Sequence, residues 1–103
     1  MALKVGESIA ATGTLTQNTD STLTFSSPVS IMRMENNTAS LIYWKINGAI
    51  SGGATPTDYD GILQPNSSYE TFNESIDIST IHVINVGATI GPLPDNAFVA
   101  VGW

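Results

Sequence analysis

The chain has 103 residues, 42% of them hydrophobic and only 12% charged, with nine acids against Lys4, Arg33 and Lys45 and a formal net charge of −6. A single core of about 100–150 residues accounts for the whole length, and the acidic balance argues against phosphate-backbone binding, whose affinity comes from lysines and arginines that release counterions. With no cysteine, disulfide frameworks and thiolate metal sites are excluded, and no apolar run approaches the about 18 residues of a spanning helix.

The opening stretch MALKVGESIAATG lacks a basic segment followed by an apolar one, so synthesis and folding in a cytoplasm are expected. Alternation places Met1, Leu3 and Val5 on one side of an extended segment. Residues 1–7 therefore read as an N-terminal arm reaching a neighbouring subunit, ahead of a single domain over 8–103. No later segment sustains a helical period for three turns, whereas alternation and β-branched or aromatic enrichment recur. Strands are predicted near 8–16, 21–26, 29–35, 40–47, 67–72, 79–86 and 97–103, separated by the turn signals TQNTD, SSP, ENNT, NGAISGG, QPNS and GPLPDN. Such punctuation predicts an all-β protein: a β-sandwich of about seven or eight strands with jelly-roll or related Greek-key topology.

Several strands carry apolar residues on both sides. In 40–47, Ile42, Trp44 and Ile46 share one face while Leu41, Tyr43 and Lys45 share the other. In 97–103, Phe98, Ala100 and Gly102 oppose Val99, Val101 and Trp103, and in 29–35 Val29 and Ile31 oppose Met32 and Met34. A two-layer sandwich buries one face of each strand. Outward Met, Tyr and Val would then form an apolar contact surface, with Leu41, Tyr43 and Trp103 joining Met1, Leu3 and Val5 as partner-binding residues. The alternative is that strand ends and loops cover the second faces.

Few residues suggest chemistry. His82 is the only histidine; it cannot build a His-rich zinc site and reads as a core or interface residue. Asp58 and Asp60, in TPTDYDG, point the same way if extended. Calcium takes about six to eight oxygens, and the EF-hand pattern is absent, so a turn in which aspartate accepts local backbone hydrogen bonds is the stronger reading. A glycosidase pair would need a cleft that a sandwich of this size hardly provides. Asp58, Tyr59 and Asp60 nevertheless form an alternative ligand loop, in which the ring stacks on a sugar and the carboxylates bond its hydroxyls. No catalytic residue, cofactor or metal is assigned.

The stretch IMRMENNTASLIYWKINGAISGGATPTDYDGILQPNSSYETF, with STIHVINVGAT and the final strand after it, resembles small structural proteins of tailed bacteriophages over about residues 30–103. The corner QPNSSYE departs from that pattern, which more often has Pro-Gly. Within that group the chain looks most like the capsid decoration, or cement, proteins. The resemblance implies a non-enzymatic virion protein, usually a homotrimer, made in the bacterial host cytoplasm and bound to the major capsid protein on the capsid exterior. It implies no cofactor, no direct nucleic-acid contact and no membrane. A carbohydrate-binding module of a phage tail or fibre is the alternative function.

Overall fold

The structure is a computed structural model that describes residues 8–72, 77–87, 93–94 and 96–103. The arm expected over residues 1–7, with Met1, Leu3 and Val5, lies outside the described residues. Eight strands occur among the described residues: β1 (Ile9–Ala10), β2 (Ser21–Val29), β3 (Ile31–Asn36), β4 (Ile42–Ile46), β5 (Gly61–Leu63), β6 (Ser67–Phe72), β7 (Ile78–Asn85) and β8 (Phe98–Gly102). They form two four-stranded sheets, ordered β1-β8-β3-β6 and β2-β7-β4-β5. Every pairing is antiparallel. The protein is all-β, and the two layers enclose one core as a sandwich does.

A simple rule generates this order. β1 pairs with β8, β2 with β7, β3 with β6 and β4 with β5. The chain is thus one long nested hairpin with residues 47–60 at its tip. Folding that hairpin over itself sends every connection except β4 to β5 from one sheet to the other.

Alternation explains the layers locally. In β2, Ser21, Leu23 and Phe25 are buried while Thr22 and Thr24 face water, a pattern suited to a half-buried pleat. Pro28 is tolerated because β2 is an edge strand, and the pairing with β7 shifts register between Thr24 and Val29. The chain then changes sheets at Ser30. Val29 ends in the second sheet and Ile31 begins in the first, so Val29 and Met32 enter the core from opposite layers.

The expected outward methionines are corrected by this crossing. Met32 and Met34 are fully buried, and Arg33 and Glu35 take the outer positions, 3.4 Å apart as an ion pair. Alternation cannot be counted through a residue at which the chain changes layers. Around the methionines, Ile42, Ile78, Ile81 and Val83 complete the fully buried centre.

Two strand boundaries differ from expectation for local reasons. The strand predicted at 8–16 stops at Ala10. Ala11 still bonds Ala100 of the first sheet, but Thr12 already exchanges backbone hydrogen bonds with Thr24 of the second. β5 was not expected. It is a three-residue strand recruited by its neighbour, with Gly61 directly opposite Trp44. A methyl group at Gly61 would lie 2.5 Å from the Trp44 ring, so the indole occupies the space a side chain would need. At the Pro65-Asn66 corner, Asn66 adopts φ 53°, a left-handed conformation that asparagine tolerates far better than most non-glycine residues. The final residue is also tied down: Trp103 donates its N–H to Ile31 O and accepts from Ser30 N–H.

Candidate functional site

The outer face of the second sheet gathers most of the residues with functional potential. Register places Thr22, His82 and Lys45 in one row across β2, β7 and β4. A second row runs Ile84, Tyr43 and Ile62 across β7, β4 and β5. The first row is polar and the second apolar.

Loop 47–60 folds back over these rows. Ile50 in the loop and Ile84 on this face of the sheet are both buried yet stand apart from the central core. Tyr59 packs edge-on against Tyr43, with ring centroids 4.7 Å apart. The second face of β4 does need cover, as its apolar residues imply, and part of that cover comes from the chain's own loop.

Three carboxylates fasten the loop. Asp20 Oδ1 accepts the Ile50 N–H at 3.1 Å, and Asp60 Oδ2 accepts the Ile46 N–H at 2.9 Å while its own N–H donates to Trp44 O. Asp58 Oδ1 accepts the Ser51 N–H at 2.6 Å, and its Oδ2 lies 3.4 Å from Lys45 Nζ. The Ser51 N–H, with a smaller contribution from Lys45, holds the Asp58 carboxyl below its ordinary value of 3.8, because both favour the charged form.

His82 belongs to the same arrangement. Its Nδ1 lies 3.0 Å from Asp20 Oδ2 and 3.3 Å from Thr22 Oγ1. The ring is thus oriented by the carboxylate that also holds Ile50, a half-buried structural role. Among the described residues, no group of three or more His, Cys, Asp or Glu side chains is positioned to hold a metal ion. The Asp58 and Asp60 carboxylates are turned to separate backbone amides, and these belong to Ser51 and Ile46, outside TPTDYDG, rather than to the local turn expected from that stretch.

Exposure that remains after the loop has folded back is concentrated in few places. Tyr59 and Ile62 are 38% and 41% exposed and flank half-buried Tyr43. Leu41 is half-buried, with its carbonyl accepting from Val86 N–H and the Asn85 side chain. Trp103 is exposed beside the start of β3. Tyr69, on β6, is 51% exposed, and its ring stacks on Trp44 at a centroid distance of 5.8 Å. A cleft of about 330 Å³ lies between Ala11, Thr12, Leu23 and Phe98 where the chain crosses sheets, and no titratable side chain among the described residues lines it.

Where β3 and β7 end, at Asn36 and Asn85, sits a polar network that the sequence showed only as a turn. Asn36 is fully buried. Its Nδ2 donates toward Ser40 O, Leu63 O and Gln64 O, and its Oδ1 accepts from the N–H and hydroxyl of Thr38. Asn85 Nδ2 donates in turn to Thr38 Oγ1. The available signal was the N-x-T-x-S spacing, which places local donors two residues and a local acceptor four residues beyond the asparagine.

Comparison with protein-family models, curated proteins and solved structures finds no match.

Proposed function

We propose that this chain is a non-enzymatic virion structural protein, a capsid decoration subunit that binds the exterior of a major capsid shell as a homotrimer and stabilises it. The observation that carries the reading is the exposed Tyr59 and Ile62 pair flanking Tyr43 on a face already fixed by the loop. Rigid aromatic and aliphatic groups of this kind anchor interfaces because they bury large apolar area at little entropic cost.

Two further features support it. Arg33 and Lys45, the cations of the described residues, each lie 3.4 Å from a carboxylate, so a docked partner need not strip water from a lone positive charge. The strand orders β1-β8-β3-β6 and β2-β7-β4-β5 also favour the jelly-roll form of the sandwich, which is built from eight strands in two Greek keys. That architecture packs two sheets on one core and suits a subunit that must stay folded under load.

The sugar-binding alternative is less well supported. Tyr59 offers a ring, but Asp58 and Asp60 already serve Ser51, Lys45 and Ile46, so a sugar hydroxyl would share carboxylates that hold the loop. Co-sedimentation with capsid shells assembled without the protein tests the assignment. Wild type should pellet with the shells, and Tyr59→Ser with Ile62→Ser should weaken attachment about tenfold or more, as expected for removing interface anchors. Wild type that stays in the supernatant overturns it, and glycan-array binding lost on Tyr59→Ala would put the tail or fibre module in its place.

A further inference from the structure

Strand β6 is one margin of the first sheet, with β3 on one side and nothing among the described residues on the other. Sheet margins are usually blunted by shortness, proline, a bulge or a covering segment. β1 has two residues and β5 three, while β2 carries Pro28, a register shift and the Thr12 bridge. Among the described residues, β6 has none of these protections. Its six residues, Ser67 to Phe72, pair with β3 in unbroken register.

The side chains at this margin specify what a further strand should bring. Tyr69 stands opposite Met34, on the core side, and remains 51% exposed beside Trp44. Glu70 stands opposite Arg33, on the outer side, and is exposed. An added strand needs apolar residues on the Tyr69 side and a cation on the Glu70 side. Residues 1–5 read Met-Ala-Leu-Lys-Val: if extended, Met1, Leu3 and Val5 share one face and Lys4 takes the other.

We propose that residues 1–6 of one copy add as a strand to the free side of β6 in a second copy, with Met1, Leu3 and Val5 beside Tyr69 and Lys4 facing Glu70. The proposal deepens the homotrimer reading given above and rests on it. Chain length decides that the contact is made in trans. Residues 1–7 join the fold at β1, and a strand added to β6 would lie four strand spacings away, roughly 19 Å at about 4.8 Å each. Seven extended residues span at most about 25 Å, so crossing the chain's own sheet would leave only one or two residues to pair. A neighbour's β6 carries no such cost. Because β1 and β6 are opposite margins of one sheet, donor and acceptor surfaces differ, and the contact is head-to-tail; it yields a closed ring when the rotation between copies closes.

Light scattering after size exclusion, on the full chain and on a variant lacking residues 2–6, tests this. Wild type should run as a trimer and the deletion as a monomer that still unfolds cooperatively, at a somewhat lower temperature because the stabilisation from association is gone. Lys4→Glu and Glu70→Lys should each weaken association about threefold or more, as like charges replace an exposed ion pair. Combined in one chain, the two changes should restore it, which keeps the test decisive if the deletion folds poorly. A monomeric wild type, an oligomeric deletion variant or a double reversal that fails to recover association overturns the proposal. The outcomes also separate it from the decoration reading: a deletion variant that stays trimeric but leaves shells removes this inference alone, whereas a wild-type trimer that loses its mass on deletion yet ignores shells removes only the shell assignment.

Discussion

Replacing Asn36 should be among the most damaging single changes in the protein. Its side chain is fully buried. The two Nδ2 hydrogens are shared among Ser40 O at 2.7 Å and Leu63 O and Gln64 O at 3.1 Å, while Oδ1 accepts from Thr38 at 2.9 and 2.6 Å. At about 1 kcal/mol net for each hydrogen-bonding hydrogen, Asn36→Ala should cost about 3–4 kcal/mol, with several partners left unpaired. Small domains have only about 5–15 kcal/mol in total, and each kcal/mol shifts the melting temperature by about 4–8 °C at this size. Calorimetry should therefore show a fall of roughly 12–30 °C. Asn36→Asp is the sharper test, because it preserves shape yet turns a carboxylate oxygen toward three carbonyl oxygens without solvent to relieve the repulsion. It should be at least as destabilised as the alanine variant. Asn36→Asp melting within about 5 °C of wild type, a change worth about 1 kcal/mol, would refute the reasoning.

Other expectations follow from the same geometry. Gly61→Ala should cost about 1–3 kcal/mol by overpacking, with the Trp44 emission shifted to the red when read in a Trp103→Phe background; an unchanged spectrum would mean that the indole does not occupy the space above Gly61. Acid should loosen the loop fastening at Asp58. Because its folded value lies below the ordinary 3.8, the stabilisation is complete above that value and is lost as pH falls through the lower folded one. Hydrogen exchange at the Ser51 amide should accelerate over that acid range in wild type and be fast already at neutral pH in Asp58→Ala. Gly52, at φ 101° and packed against Thr55 O, should resist substitution: Gly52→Ala should lower the urea midpoint without changing the slope, and an unaltered midpoint would show the loop to be more adaptable than its geometry implies.

The sequence was informative wherever one strand stayed in one layer. Alternation in IYWKI sets Ile42 and Trp44 on the face opposite Tyr43, and that face is the buried one. It failed where the chain changed layers, because Val29 and Ile31 share a parity but belong to different sheets. β5 escaped notice because three residues cannot display a period, and its strand character comes from pairing with β4. At the candidate site, the apolar second face of β4 was legible from Leu41 and Tyr43. Its partial cover was not, since the burial of Ile50 depends on Asp20, 30 positions away, accepting its amide. TPTDYDG was legible as a turn, but the amides that its carboxylates accept, on Ser51 and Ile46, lie outside that stretch and were not.

The nested pairing has a consequence for how the chain is made. β8 lies between β1 and β3, and β7 lies between β2 and β4, so the last two strands synthesised occupy interior slots in both layers. While a ribosome still holds residues 78–102, β1 and β2 lack their principal ladder partners, and their greasy faces wait without a home. Productive closure must therefore wait until β7 and β8 have been made, and a nascent chain stalled short of β7 would be a substrate for chaperones rather than a smaller version of the fold.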